Sequence, residues 1–228
     1  MYDYRGIDGT GTASSPATGS NQVSYVIRKL ADGNCWMSEN LKLTLSTSHA
    51  YEVGTFDGGT ASWTPNSTTT SNAYNYAITP NTQANVSVNG RQEWYYPWHA
   101  AIAAPPGAIT KNSYTASRSI CPRGWRLPSN SGNISYYNLI INKYHITGSA
   151  STTIPTIQAI PLSFILTGVI NSGEMSGSLT NGIWWSATSS SGYDVYYLSY
   201  STTSGIYPQM SYDYKYLGVT IRCIAISS

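Results

Sequence analysis

Leu217-Gly218-Val219-Thr220-Ile221-Arg222-Cys223 alternates apolar residues with small, polar or charged ones, the period of a β-strand with one face buried. The stretch predicts a half-buried strand near the end of the chain. Just before it, eight of the 20 tyrosines fall between Tyr193 and Tyr216, and seven serines fall between Ser189 and Ser211. Tyrosine supplies a large, stiff, amphipathic contact area at small entropic cost, and serine adapts its hydrogen bonds, the mixture that antibody paratopes favour. The same tyrosines also suit the solvated face of an antiparallel sheet, because Tyr has high β propensity. Along a strand from Tyr193 to Tyr200 the side chains must divide between two faces. Either Tyr193 and Tyr197, or Asp194, Tyr196 and Tyr200, then point outward.

Further upstream, Asn171-Ser172-Gly173 and Asn181-Gly182 are turn signals on the way to Trp184-Trp185, and Leu162, Phe164 and Leu166 alternate. A helix is expected after Leu127-Pro128, capped by Ser131 or Asn133, with Ile134, Tyr137, Ile141 and Tyr144 on one face. Lys143 and His145 suit its C-terminus, and Gly148 follows. No second helix has a dependable signal. Near the start, Val23, Tyr25 and Ile27 alternate, and an Asp32-Gly33 turn leads to Cys35-Trp36-Met37, which reads as a hairpin. Residues 45–94 are rich in Ser, Thr, Asn and Gly with scattered aromatics, and are expected to lie on the domain as a long insertion. The whole reads as one domain over 1–228, α+β and mainly antiparallel β, with long loop insertions and one or two helices.

Only 10% of residues are charged, against about 25% in ordinary soluble proteins. Solubility then rests on hydroxyl and amide groups, as in exported surface proteins. A net charge of +2 without a basic cluster argues against a nucleic-acid partner. No apolar run approaches the ~18 residues that span a bilayer, and residues 1–20 have no hydrophobic signal core. The chain is therefore expected either to be cytoplasmic or to have had a leader removed, with no direct insertion into a membrane. Cys35, Cys121 and Cys223 are spaced neither for zinc nor as a CxxC pair, and a single bridge leaves one thiol over.

Four landmarks in order carry a resemblance: Gly33-Asn34-Cys35-Trp36-Met37-Ser38-Glu39-Asn40-Leu41, Cys121-Pro122-Arg123-Gly124-Trp125-Arg126-Leu127-Pro128, Trp185-Ser186-Ala187-Thr188, and Val219-Thr220-Ile221-Arg222-Cys223. Together they resemble the Fibrobacter succinogenes major paralogous domain family, bacterial surface proteins with the C-type lectin-like fold. The resemblance implies that the N- and C-terminal strands pair, that Cys121 bridges Cys223, and that Trp36, Trp125 and Trp185 lie in the core. Closing a loop of about 100 residues stabilises a chain by ~4.7 kcal/mol in the chain-entropy model. Several proteins of this fold are variable products of diversity-generating retroelements. Their variable region resembles residues 184–223 in position and texture, and Gln209, Met210 and Lys215 would be its fixed positions. The resemblance thus implies an extracellular or cell-surface protein that binds a protein or glycan ligand on another cell or surface and catalyses no reaction. Its ligand face is expected at Tyr193, Asp194, Tyr196, Tyr200, Tyr207, Ser211, Tyr212, Asp213, Tyr214 and Tyr216, with Trp184 at the margin.

Other chemistry has little footing in the sequence. Calcium-dependent lectins of this fold use acidic loops, whereas Tyr207-Pro208-Gln209 and Trp184-Trp185-Ser186 lack the acidic oxygens a hard cation requires. No cofactor or metal is expected. His49, His99 and His145 form no paired-ligand pattern, and His99 beside Trp98 is expected to be a hydrogen-bonded structural residue. Cys35 beside Trp36 reads as a buried small hydrophobe. An invariant glycan-binding adhesin is the alternative reading, and a surface glycoside hydrolase using Asp194 and Asp213 is a third.

Overall fold

The computed structural model describes residues 1–46, 48–65, 87–88, 91–104, 114–147, 149–171 and 174–226, with only the backbone described for 87–88 and 210–213. β1 (Tyr2–Asp3) pairs antiparallel with β2 (Val23–Ser24). β3 (Ile27–Lys29) and β4 (Cys35–Met37) form the hairpin expected around Asp32-Gly33. Gly33 adopts φ 84°, which a side chain would oppose. The Asp32 carboxylate accepts from the Asn34 backbone N–H, the Asn34 amide and the Trp36 indole, the last at 2.9 Å. One acid thus sets both the turn and the rotamer of a core tryptophan.

β5 (Tyr51–Thr55) pairs with β6 (Thr60–Trp63), and Tyr51, Val53 and Trp63 are buried in the main core. Residues 51–63 are therefore part of the framework and not an insertion lying on it; residues 66–86 lie outside the described residues. β7 (Ser87–Val88) pairs with β8 (Arg91–Gln92), and a single helical turn, α1 (Trp98–Ala101), follows. β9 (Arg118–Ser119) closes on the other edge of β5. β10 (Trp125–Arg126) then leads into the expected helical region.

That region is a π-helical segment, Asn138–Lys143, extended at its start by helical Tyr136 and Tyr137. The Ser135 hydroxyl accepts from the Asn138 N–H at 3.1 Å and donates to the Gly132 carbonyl, so the cap falls later than Ser131 or Asn133. The buried face is accordingly Tyr136, Leu139 and Ile140, while Tyr137 is exposed and Ile134, Ile141 and Tyr144 sit at the margin. α2 (Ala150–Gln158) carries no signal that sequence reading could use: it is rich in Ser and Thr and contains Pro155, normally a helix breaker. Leu162 and Phe164 are buried and Leu166 is half-buried, but Leu162 lies in a turn, Ser163 has φ 54°, and none of the three belongs to a strand.

β11 (Val169–Asn171) and β12 (Glu174–Ser176) form a short hairpin. β13 (Asn181–Ser189), β14 (Asp194–Ser201) and β15 (Gly205–Tyr214) form the longest sheet, an antiparallel meander in which β15 is an edge. Pro208 sits within β15, tolerated there because an edge strand has a side that needs no donor. β16 (Ile224–Ala225) lies between β10 and β4 in the order β10-β16-β4-β3. Of the pairing implied between N- and C-terminal strands, β16 pairs with β4 of the early hairpin, whereas β1 pairs with β2. The architecture is thus mainly antiparallel β with few helices.

Two apolar cores lie on either side of β13 and β14. Ile183, Trp185, Ala187, Val195 and Tyr197 enter the larger core with Trp98, Trp125 and the cystine. Trp184, Leu198 and Tyr200 enter the smaller one with Trp36, Tyr136 and Phe164. Leu217–Cys223 runs between them, which is why the expected half-buried strand is buried on both faces. It is held by single bridges, Gly218 to Ile170, Val219 to Tyr96 and Thr220 to Trp184, instead of one continuous ladder. Trp36, Trp125 and Trp185 are buried, and Cys121 is bonded to Cys223 across 102 residues. Cys35 is free and half-buried, more open than a core hydrophobe. Replacing both bridged cysteines by alanine is expected to lower the unfolding free energy by about 2–5 kcal/mol, read as a fall in the urea midpoint.

Candidate functional site

The tyrosine-rich surface is built around the β13–β14 hairpin. Its Ser191 hydroxyl donates to the Asp194 carboxylate at 3.0 Å and accepts from the backbone N–H groups of Tyr193 and Asp194. The Ser190 and Ser191 N–H groups in turn donate to the Asp194 carbonyl. This Ser-x-x-Asp arrangement is the turn chemistry that sequence reading overlooked, although its residues were in view. It fixes the backbone of Tyr193, a residue 58% exposed.

Asp194 pairs across the sheet with Tyr214, and the Lys215 N–H donates to the Tyr193 carbonyl, so the tip of the hairpin and the end of β15 form one patch. Tyr214 is 50% exposed and stacks on half-buried Tyr216, with ring centroids 5.1 Å apart and planes 8° from parallel. Between them the chain turns Lys215 inward, its ammonium 5.0 Å from the centroid of the buried Trp98 ring. Burial lowers the Lys215 pKa to about 8, opposed by the nearby Asp194 carboxylate.

The remaining expected residues divide. Tyr196 is half-buried on β14. Tyr207 is 41% exposed, its hydroxyl donating to the Ser204 carbonyl at 2.9 Å. It lies seven residues before Tyr214 on the same strand, about 23 Å away at the usual rise, and so belongs to the far end of the sheet. Backbone register places Asp213 opposite Val195; the side chains of Ser211, Tyr212 and Asp213 lie outside the described residues.

Trp184 and Tyr200 are core residues and leave the candidate surface. Trp184 is fully buried, its indole N–H donating to Asn40 Oδ1 at 2.8 Å. Tyr200 stacks on it at 5.6 Å and donates its hydroxyl to the Phe164 carbonyl at 2.8 Å. Neither of the two expected outward sets holds whole: Tyr193 is exposed but Tyr197 is buried, and Asp194 and Tyr196 are half-buried whereas Tyr200 is inside. The cause is the register shifts in β14 between Val195 and Tyr197 and between Tyr197 and Ser199, together with a core on each face of the sheet.

Near this surface, Trp98 is fully buried, donates to the Ser186 carbonyl at 2.9 Å and meets Tyr114 edge-on. The neighbouring His99 was expected to be hydrogen-bonded, yet its buried Nδ1 has no partner among the described residues. Burial alone pulls its pKa down to about 4, so the ring is neutral near pH 7. Among the described residues, no three His, Cys, Asp or Glu side chains converge to hold a metal ion, and no helix is long and apolar enough to cross a membrane. Comparison with known family models, curated proteins and solved structures finds no match for this chain.

Trp184→Ala is expected to cost about 3–5 kcal/mol, and Tyr200→Phe about 1 kcal/mol for its hydroxyl bond, both measured by chemical denaturation. For His99 the folded pKa lies below the unfolded one, so between pH 6.5 and about 4 the unfolded chain binds the extra proton. Stability is lost as pH falls through that window. Relative to the wild type, His99→Leu should flatten the acid limb by up to about 1.4 kcal/mol per pH unit, read from unfolding curves at several pH values.

Proposed function

We propose that this protein is an extracellular recognition domain that binds a protein or glycan on another surface through the tyrosine-rich patch formed by the β13–β14 hairpin and the end of β15. The observation that carries this reading is the placement of Tyr193 and Tyr214, largely exposed, on backbone pinned by Ser191 and by sheet pairing. Aromatic rings held in place before binding lose little entropy on contact, and interface energy concentrates in a few such anchors. Tyr216 and Asp194 complete the patch, and Tyr207 offers a second, separate contact. The C-type lectin-like scaffold, and diversification of residues 184–223 by a retroelement, belong to the same proposal. Their support is the order and spacing of the four sequence landmarks and the cystine joining two of them. In such a scaffold, core positions such as Trp184 and Tyr200 would stay fixed while the patch varies.

An invariant glycan-binding adhesin is the second reading. Exposed Tyr214, stacked on half-buried Tyr216, favours it, because a flat aromatic platform suits the apolar face of a sugar ring. The hydrolase reading gains nothing from Asp194, whose carboxylate serves the Ser191 turn.

Two measurements separate these readings. Sequencing the flanking DNA should reveal a near-copy of the 3′ end that differs at adenines, beside a reverse transcriptase gene; its absence removes diversification and leaves the adhesin. Glycan and protein arrays, run with and without chelator, should show capture that Tyr193→Ala and Tyr214→Ala each weaken by about 2 kcal/mol or more, roughly 30-fold. Both variants should keep wild-type stability within about 0.5 kcal/mol. Capture indifferent to both substitutions would defeat the assignment of this patch.

A further inference from the structure

A second polar site lies away from the tyrosine patch, where β4 and β16 run out. Trp36 pairs with Ile224 in antiparallel register, the Met37 N–H donates to the Cys223 carbonyl, and beyond the end of β4 the Leu41 N–H donates to the Ile221 carbonyl. Continuing that register by two residues sets Ser38 opposite Arg222, on the same face. Both are buried, at 7% and 1% exposure, and both line a cavity of about 330 Å³. This cavity shares Ser38, Glu39, Arg91, Ser163 and Ile165 with an adjoining one of about 490 Å³, so the two form one continuous groove.

The hydrogen-bonding state of the lining defines what the groove accepts. Arg222 gives its terminal nitrogens to the Leu162 and Ser163 carbonyls, at 2.6 and 2.9 Å, and lies over the Phe164 ring. Its Nε has no partner among the described residues, nor has the Ser38 hydroxyl, nor the Arg28 Nε further along. Buried polar groups in native proteins are nearly always bonded, and exceptions call for a functional explanation. The acids here are already engaged. Glu39 accepts from the Val26 N–H and from Lys42, and Glu93 accepts from the Asn40 amide. The unpartnered buried atoms here include three donors, and the cations Arg28, Lys42, Arg91 and Arg222 outnumber Glu39 and Glu93. Exposed Arg91 adds a guanidinium at the mouth, and Ile160 and Ile165 supply an apolar wall. A guanidinium beside a hydroxyl is geometry suited to a planar, acceptor-only anion.

We propose that this groove binds a small organic carboxylate, with Ser38 and the Arg222 Nε at its floor and Arg91 at its mouth. An acidic sugar and an acidic amino acid both present that chemistry. Titration calorimetry on the whole chain at low salt, with D-glucuronate, L-glutamate and their neutral counterparts glucose and L-glutamine, distinguishes the two sources. At least one acid should bind saturably, with its neutral counterpart at least about tenfold weaker. Ser38→Ala and Arg91→Ala, neither of which removes an apolar core group, should each weaken that binding about tenfold. Tyr214→Ala should leave it unchanged, so the outcome is independent of the tyrosine patch. The proposal is overturned if neither acid saturates by about 10 mM, if the neutral counterpart binds equally, if Ser38→Ala and Arg91→Ala are both silent, or if Tyr214→Ala abolishes binding.

Discussion

Trp184 and Trp185 are neighbours on β13, so their indoles leave opposite faces of the sheet and enter different cores. Each carries one N–H into an apolar interior, where leaving it unbonded would cost about 1–3 kcal/mol. Trp184 finds Asn40 Oδ1, and Trp185 finds the Tyr96 carbonyl at 2.7 Å. Two segments remote in sequence are thereby fixed to one strand. The same requirement recurs at Trp36 with Asp32 and at Trp98 with Ser186, and these bonds, with the Cys121–Cys223 cystine, set where the long sheet sits against the rest of the chain.

Having a core on each face decides which tyrosines are seen from outside. Near the hairpin, Val195 and Tyr197 face the larger core and Asp194 and Tyr196 are partly open; toward the other end, Leu198 and Tyr200 face the smaller core. The tyrosines therefore range from fully buried to largely exposed. Tyr96, Tyr136 and Tyr200 are buried, their hydroxyls donate to backbone carbonyls, and burial raises their pKa values well above the ordinary phenol. In this sheet Tyr193, Tyr207 and Tyr214 are exposed, and among the described residues Tyr2 and Tyr137 are exposed elsewhere.

Charge is scarce in this chain, and a notable part of it lies inside. Arg5 is buried with Asp3 at 2.8 Å and donates to the Glu52 and Ile120 carbonyls, tying the first residues to β5 and to the approach to the cystine. Arg222 and Glu93 are buried as well, and burial lowers the pKa of the first to about 10, so it stays charged near neutral pH, while raising that of the second. Such groups contribute position more than net stability, since desolvation offsets much of their attraction. They leave an outer surface whose polarity comes largely from hydroxyls and amides.

By itself the sequence determined the mainly antiparallel β character and the Asp32-Gly33 hairpin, and it located a tyrosine-rich segment without saying which rings face out, because period, turn residues and composition are local quantities. It also placed a helix after Pro128 but misjudged its face, since the Ser135 cap that sets the phase depends on how the preceding turn folds back. α2 was invisible because a Ser/Thr-rich stretch containing Pro155 becomes helical only when Ile157 and Thr153 have a core to enter. Only the tertiary structure decided that Trp184 and Tyr200 lie inside, that Leu217–Cys223 is buried on both faces, that 51–63 belongs to the framework, and that Ser38 and Arg222 line one groove. Alternation tells two faces apart but not what covers each of them. That depends on segments brought across 89 and 144 residues by the hydrogen-bonding needs of two buried indoles.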